Sequence, residues 1–155
     1  SRSDLNASKK EIARLTNPRG ITGSIHDALV DADVFIGVSG PDLLTREHIS
    51  RMRKKAIVFA LSNPVPEIMP EEAKAGGAAV IATGRSDFPN QINNALVFPG
   101  VFRGALDKGV RAITEASKLR AAKALAALIE QPTSAKIIPD VLDARVVPAV
   151  AKAIR

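Results

Sequence analysis

The stretch "AIVFALSNPVPEIMPEEAKAGG", residues 56–77, decides how the chain is read. It opens on apolar and small residues, with the β-branched Ile57 and Val58 beside Phe59, which is the pattern of a short buried strand (56–62). Asn63 and Pro64 stop that strand, because a proline drives the residue before it away from helical geometry. "MPEEAKAGG" (69–77) then reads as a helix, with Pro70 in its first turn and Gly76 or Gly77 at its stop. A strand, a turn and a helix in so short a span are the front half of a β-α-β unit.

The same unit recurs on either side. "DVFIGVSG" (33–40) is an apolar run ending in glycine, a strand expected to be covered on both faces. "TREHISRMRKKA" (45–56) follows as a helix with Thr45 as N-cap and Ile49 and Met52 as its stripe; His48 stands where a capping box has Glu or Gln. "AAVIATG" (78–84) is a third strand. Upstream, "SIHDALVDA" (24–32) shows Ile25, Ala28 and Leu29 on one helical face. "SRSDLNASKKEIARLT" (1–16) offers Asn6 or Ser8 as a cap, with Ile12 and Leu15 beyond it. Downstream, "TEASKLRAAKALAALIE" (114–130) is a helix with Leu119, Ala122, Leu125 and Ile129 as its stripe. "DARVVPAVAKAIR" (143–155) is another, with Pro148 in its early part, and a loop (130–142) separates the two.

Strands alternating with helices predict an α/β fold with a parallel sheet joined by right-handed crossovers. Three strands are fewer than a doubly wound domain carries. The expected fold is therefore a partial doubly wound, Rossmann-like parallel sheet flanked by helices, with an all-helical C-terminal third. Its N-terminal strands and glycine-rich loop are missing, and no G-x-G-x-x-G occurs. One domain is expected over 1–155, with strand/helix units to about residue 90 and the helical part from 91. The opening segment reads like the middle of a longer protein, and an open sheet edge is expected to promote self-association.

Composition narrows the function. The chain has 155 residues, 46% hydrophobic and 25% charged, which is a globular composition. No apolar run reaches the roughly 18 residues of a membrane span. Cysteine is absent, which excludes disulfides and thiolate chemistry and fits a cytoplasmic location. The net charge of +6 and pI of about 10.0 invite a nucleic-acid reading. The basic residues are scattered, however, and only five Phe are available for stacking. Neither nucleic acid nor membrane is expected as a partner; a field attracting carboxylate or phosphorylated ligands explains the balance.

In open parallel sheets the ligand lies beyond the C-terminal strand ends. Here these are "GVSGPD" (37–42), "LSNPVPE" (61–67) and "ATGRSD" (82–87). Gly37 and Gly40 would let a flat ring or sugar approach the main chain, or would simply make a tight turn. Asn63 presents an amide that can donate to a carboxylate or accept from a hydroxyl, unless it closes an Asx turn. Asn93 and Asn94 diverge by about 100° on a helix, so one could face a ligand while the other caps. Gly100 and Gly104 suit close helix packing. His26 and His48 read as isolated surface or capping residues. The carboxylates are scattered, so no metal site is expected. The basic run Arg103, Lys108, Arg111, Lys118, Arg120 and Lys123 reads as a solvated helical face.

Together "VFIGVSGPDLLT", "AIVFALSNPVPEIMPEEA" and "VIATGRSDFPNQINNALVFPGVFRGAL" resemble the NAD(P)-binding domain of bacterial-type malic enzymes, over nearly the whole chain. The resemblance implies an oxidoreductase that converts malate to pyruvate and CO₂ with NAD⁺ or NADP⁺ and a divalent metal, Mg or Mn. It implies that Asn63 lies near the substrate and the nicotinamide and that Asn94 binds a malate carboxylate. Asn93 would lie nearer the cofactor, with Val38, Ser39 and Gly40 lining it. The family's catalytic tyrosine and lysine, acidic metal ligands and glycine-rich loop lie upstream of the matching region. No catalytic residue or metal ligand is thus implied here, and the isolated chain is expected to be inactive with little cofactor affinity. Family members are usually dimers or larger. A non-catalytic nucleotide-binding or assembly module remains the alternative, although a pure scaffold needs neither amide motif.

Overall fold

The computed structural model describes residues 5–155; the first four residues of the first predicted segment lie outside it. The element order is α1 (Ala7–Leu15), α2 (Ile25–Leu29), β1 (Val34–Gly37), α3 (Arg46–Ser50), β2 (Ile57–Ala60), α4 (Pro70–Ala75) and β3 (Val80–Thr83). A 3₁₀ turn (Asn94–Leu96) and the helices α5 (Phe98–Lys108), α6 (Glu115–Ala126) and α7 (Val146–Ala153) follow. The elements are shorter than the apolar patterns suggest because their ends are taken up by caps and by the strand-end loops.

The sheet is parallel throughout, in the order β1-β2-β3. Its register places Gly37, Ala60 and Thr83 in one row at the C-terminal rim. Phe35, Val58 and Ala60 lie on the face covered by α2, α3 and α4, where Leu29, Ile49, Ala73, Leu44 and Ile68 complete the core. A second core, in the helical part, is built from Leu96, Ala121, Leu125, Val146, Val150 and Ile154.

The other sheet face departs from expectation. Cover thins across it: Ala82 is fully buried, Phe59 half-buried, and Ile36 in the same row is 62% exposed. Val34 is exposed as well, so β1 is covered on one face only. An apolar run specifies that a strand can be buried; it does not specify where the covering layer comes from.

Three further expectations are corrected. The buried stripe of α6 is Ser117, Ala121 and Leu125, one residue every turn, whereas Leu119 and Ala122 point to solvent. His26 and His48 are not isolated; their rings meet edge to face at 5.0 Å. His48 also completes a capping box with Thr45, its Nδ1 accepting from the Thr45 N–H at 3.0 Å, the task a Glu or Gln usually performs. The basic run is not one solvated face. Lys108 Nζ donates to the carbonyls of Ala151, Lys152 and Ile154 at 2.8–2.9 Å, closing the C-terminus of α7. Arg120 donates to the carbonyls of Ala153 and Arg155.

Gly100 and Gly104 perform the packing expected of them. A Cβ on Gly100 would lie 2.6 Å from Val150 Cβ, and one on Gly104 would lie 2.5 Å from the Ala151 carbonyl oxygen, so α5 and α7 meet backbone to backbone. Among the described residues, no helix is long and apolar enough to cross a membrane.

Candidate functional site at the strand ends

Parallel strands deliver their C-terminal ends to one rim, and each of the three loops there has a distinct job. The loop after β1 carries Val38, 80% exposed, then Ser39 and Gly40. A Cβ added at Gly40 would meet nothing within 4 Å, so open space lies in front of this backbone. The loop after β2 carries Asn63, exposed and joined to Pro64 by a cis peptide bond. The loop after β3 carries Gly84, Arg85, Ser86 and Asp87.

Asn63 and Asn93 line the same cleft of about 450 Å³, together with Pro64, Gly84, Arg85 and Asp87. The paired asparagines divide their work. Asn93 caps the 3₁₀ turn: its Oδ1 accepts from the Ala95 N–H at 3.0 Å and its Nδ2 donates to the Gly84 carbonyl at 2.9 Å. Asn94, the first residue of the turn, is exposed and plays no part in that cap. Val38, Ser39 and Gly40 do not line the cleft; they stand beyond the neighbouring strand end.

The lining also includes a guanidinium held on three sides. Arg85 donates to both carboxylate oxygens of Asp87 at 2.8 and 2.6 Å and to the Pro64 carbonyl at 3.2 Å. It also lies over the Phe88 ring at 5.3 Å. The Arg85 hydrogen bond holds the Asp87 carboxyl below the ordinary carboxylate range, and Asp87 in turn raises Arg85.

Two residues that the sequence reading did not single out organise these loops. Glu67 is fully buried directly under the site. Its Oε1 accepts from the Ser39 N–H at 2.8 Å and the Ser39 hydroxyl at 3.2 Å, and its Oε2 accepts from the Ser62 N–H at 3.0 Å. Gly37 makes room for it, since a Cβ there would lie 2.5 Å from Oε1. The available signal was a carboxylate placed between Pro66 and Ile68, ahead of the helix whose first turn Glu71 and Glu72 already supply. Asn90 is the second, tying the loop after β3 to residues 134–137 through two hydrogen bonds and to Ile81 of β3 through a third.

Burial alone would raise the Glu67 carboxyl, but the backbone hydrogen bonds from Ser39 and Ser62 outweigh it and hold the group below its usual value. A carboxyl lowered in the folded state stabilises the fold above its unfolded value, near about 4.3, and that contribution is lost as pH falls through the lower folded value. Urea midpoints of the wild-type chain and of Glu67→Gln are accordingly expected to converge on acidification below about pH 4. A gap of constant size from neutral pH to strong acid would contradict this account.

Open backbone beside one strand end, and amides lining a cleft beside the next, define an open parallel α/β domain with its candidate ligand site at the C-terminal rim of the sheet. The description "Malic enzyme, NAD binding domain" matches residues 3–154, and the chain belongs to that family. It is 53% identical over 152 residues to the bifunctional malic/malolactic enzyme of Bacillus subtilis, covering 97% of this chain and 37% of the relative. It is 47% identical over 138 residues to the NADP-dependent malic enzyme of Halomonas elongata, covering 88% of this chain and 32% of the relative. The crystal structure of the NAD-dependent malic enzyme of Thermotoga maritima superposes with a TM-score of 0.89 at 48% identity, over 97% of this chain and 39% of that one. The chain thus spans about a third of the length of these relatives.

Proposed function

We propose that the protein carrying this chain oxidises malate and decarboxylates the product to pyruvate and CO₂, using NAD⁺ or NADP⁺. The observation that carries this reading is the cleft shared by Asn63 and Asn93, with Asn94 exposed beside it, in a chain of the malic enzyme family. The dinucleotide, when bound, supplies the hydride acceptor. The residues present fit it: the exposed Val38 and the open backbone at Gly40 offer a flat ledge for a ring or sugar. Asn94 supplies amide donors to a malate carboxylate. Asn63, on the loop after the central strand, holds the substrate hydroxyl toward the dinucleotide side. Asn93 keeps the 3₁₀ turn in place and leaves its remaining hydrogen-bonding capacity for the cofactor.

These are orienting roles, and neutral amides perform no proton transfer at neutral pH. Among the described residues, no group of three or more His, Asp or Glu side chains could hold a metal ion, so no step is assigned to a metal here. Asp87, the carboxylate in the cleft lining, is held by both of its oxygens on Arg85, so we assign the base that takes the proton of the malate hydroxyl to another part of the protein. We further place the protein in the cytoplasm as a homo-oligomer that binds neither nucleic acid nor membrane, with the exposed edge of β1 as a surface that a further strand can cover.

The full-length protein is expected to reduce NAD⁺ or NADP⁺ in the presence of malate and to release pyruvate. The 155-residue chain alone is expected to do neither. Absorbance of the reduced dinucleotide reads both, and turnover by the isolated chain would overturn the division of labour.

A further inference from the structure

We propose that Glu67 is a positioning residue, whose buried carboxylate fixes the spacing between the loop after β1 and the loop after β2 and thereby the register between dinucleotide and substrate. This rests on the functional reading above. Ser39 lies with Val38 and Gly40 among the proposed cofactor contacts, and Ser62 immediately precedes Asn63. The two serines are linked through one side chain, Oε1 holding the first and Oε2 the second. Glu67 is itself anchored, its carbonyl accepting from the Leu44 N–H at 2.8 Å while that of Pro66 accepts from the Asp42 N–H at 3.2 Å.

The chemistry of the donors explains why the residue is a carboxylate. Both loops present N–H groups, so the linker must accept at both ends. A glutamine accepts at one end only and would turn its own N–H₂ toward one of the two backbone N–H groups. A carboxylate buried among neutral donors is costly relative to an apolar filler of equal volume. General packing does not require it; two-ended acceptance does. Gly37 gives a second indication, because the strand that leads into the cofactor loop forgoes a side chain where the carboxylate sits.

The test uses the full-length protein with malate deuterated at C2. Glu67→Gln is expected to lower kcat about 10- to 100-fold, with KM for dinucleotide and malate little changed. The primary isotope effect on kcat should increase, because misregister slows hydride transfer itself. Gly104→Ala, in the helical part, serves as a destabilised control and should keep the wild-type isotope effect. If Glu67→Gln does not fold, Ser39→Ala, which removes only the hydroxyl donor, should show a smaller change in the same direction. A wild-type isotope effect in whichever of these two variants folds would overturn the positioning role while leaving the function standing. A wild-type protein that does not oxidise malate would overturn the functional reading, and this proposal with it.

Discussion

Asn90→Ala is expected to lower the stability of the chain by about 3 kcal/mol. Asn90 is 7% exposed. Its Nδ2 donates to the carbonyls of Ile81 and Ser134 at 3.0 and 2.9 Å, and its Oδ1 accepts from the Ile137 N–H at 2.9 Å. One amide therefore fastens the segment after α6 to the third strand. Truncation removes three hydrogen bonds, each worth about 1 kcal/mol net. The backbone adds to the loss, since Asn90 sits at φ +57°, a region that asparagine tolerates better than alanine. Asn90→Asp should be worse at neutral pH, because its carboxylate would face the two carbonyl oxygens, and should recover partly in acid, where a protonated group can donate. Urea unfolding of both variants at neutral and acidic pH checks this. Equal stability of Asn90→Asp and wild type at neutral pH would mean that the Asn90 amide does not hold residues 134–137 to β3.

Gly104→Ala is the second large effect. Helix propensity favours alanine over glycine by about 1 kcal/mol, so an open position would gain. Here the new Cβ would lie 2.5 Å from the Ala151 carbonyl oxygen and 2.9 Å from its Cα. Both obstacles are backbone, so no side chain can turn away and α5 must move off α7. Overpacking of this kind costs about 1–3 kcal/mol, and with a backbone obstacle we place it at the upper end, for a net loss of about 2 kcal/mol. A chain of this size should then melt roughly 4–8 °C lower. An unchanged or raised melting temperature by calorimetry would mean that the two helices do not pack as closely as described.

The alternation of strand and helix was legible in the sequence because each strand is a short β-branched run closed by Gly, Ser or Asn, and these signals are local. Asn63 was legible for the same reason: a proline behind it fixes its backbone. The pair Asn93 and Asn94 could be read as one cap and one free amide but not assigned, because which of them caps depends on where Gly84 lies. Glu67 was not legible, since its two partners come from different loops and one stands 28 residues away. The same holds for the contact of His26 with His48 and for Lys108, whose carbonyl partners lie more than forty positions along the chain. On α6, leucine at 119 outweighed serine at 117 in any hydropathy reading. In the fold Ser117 is buried because its hydroxyl donates to the Arg155 carbonyl at 2.7 Å.

The uneven cover of the sheet sets an order of opening. Amide protons exchange through local fluctuations whose cost follows the apolar area released. β3 gives up buried surface on both sides when it parts from its neighbour, whereas β1 gives up one side only. The sheet therefore loosens from β1 inward, while the close pairing of α5 with α7 holds the helical part together. The strand that leads to Val38 and Gly40 is thus the one most readily rearranged by whatever comes to lie on it.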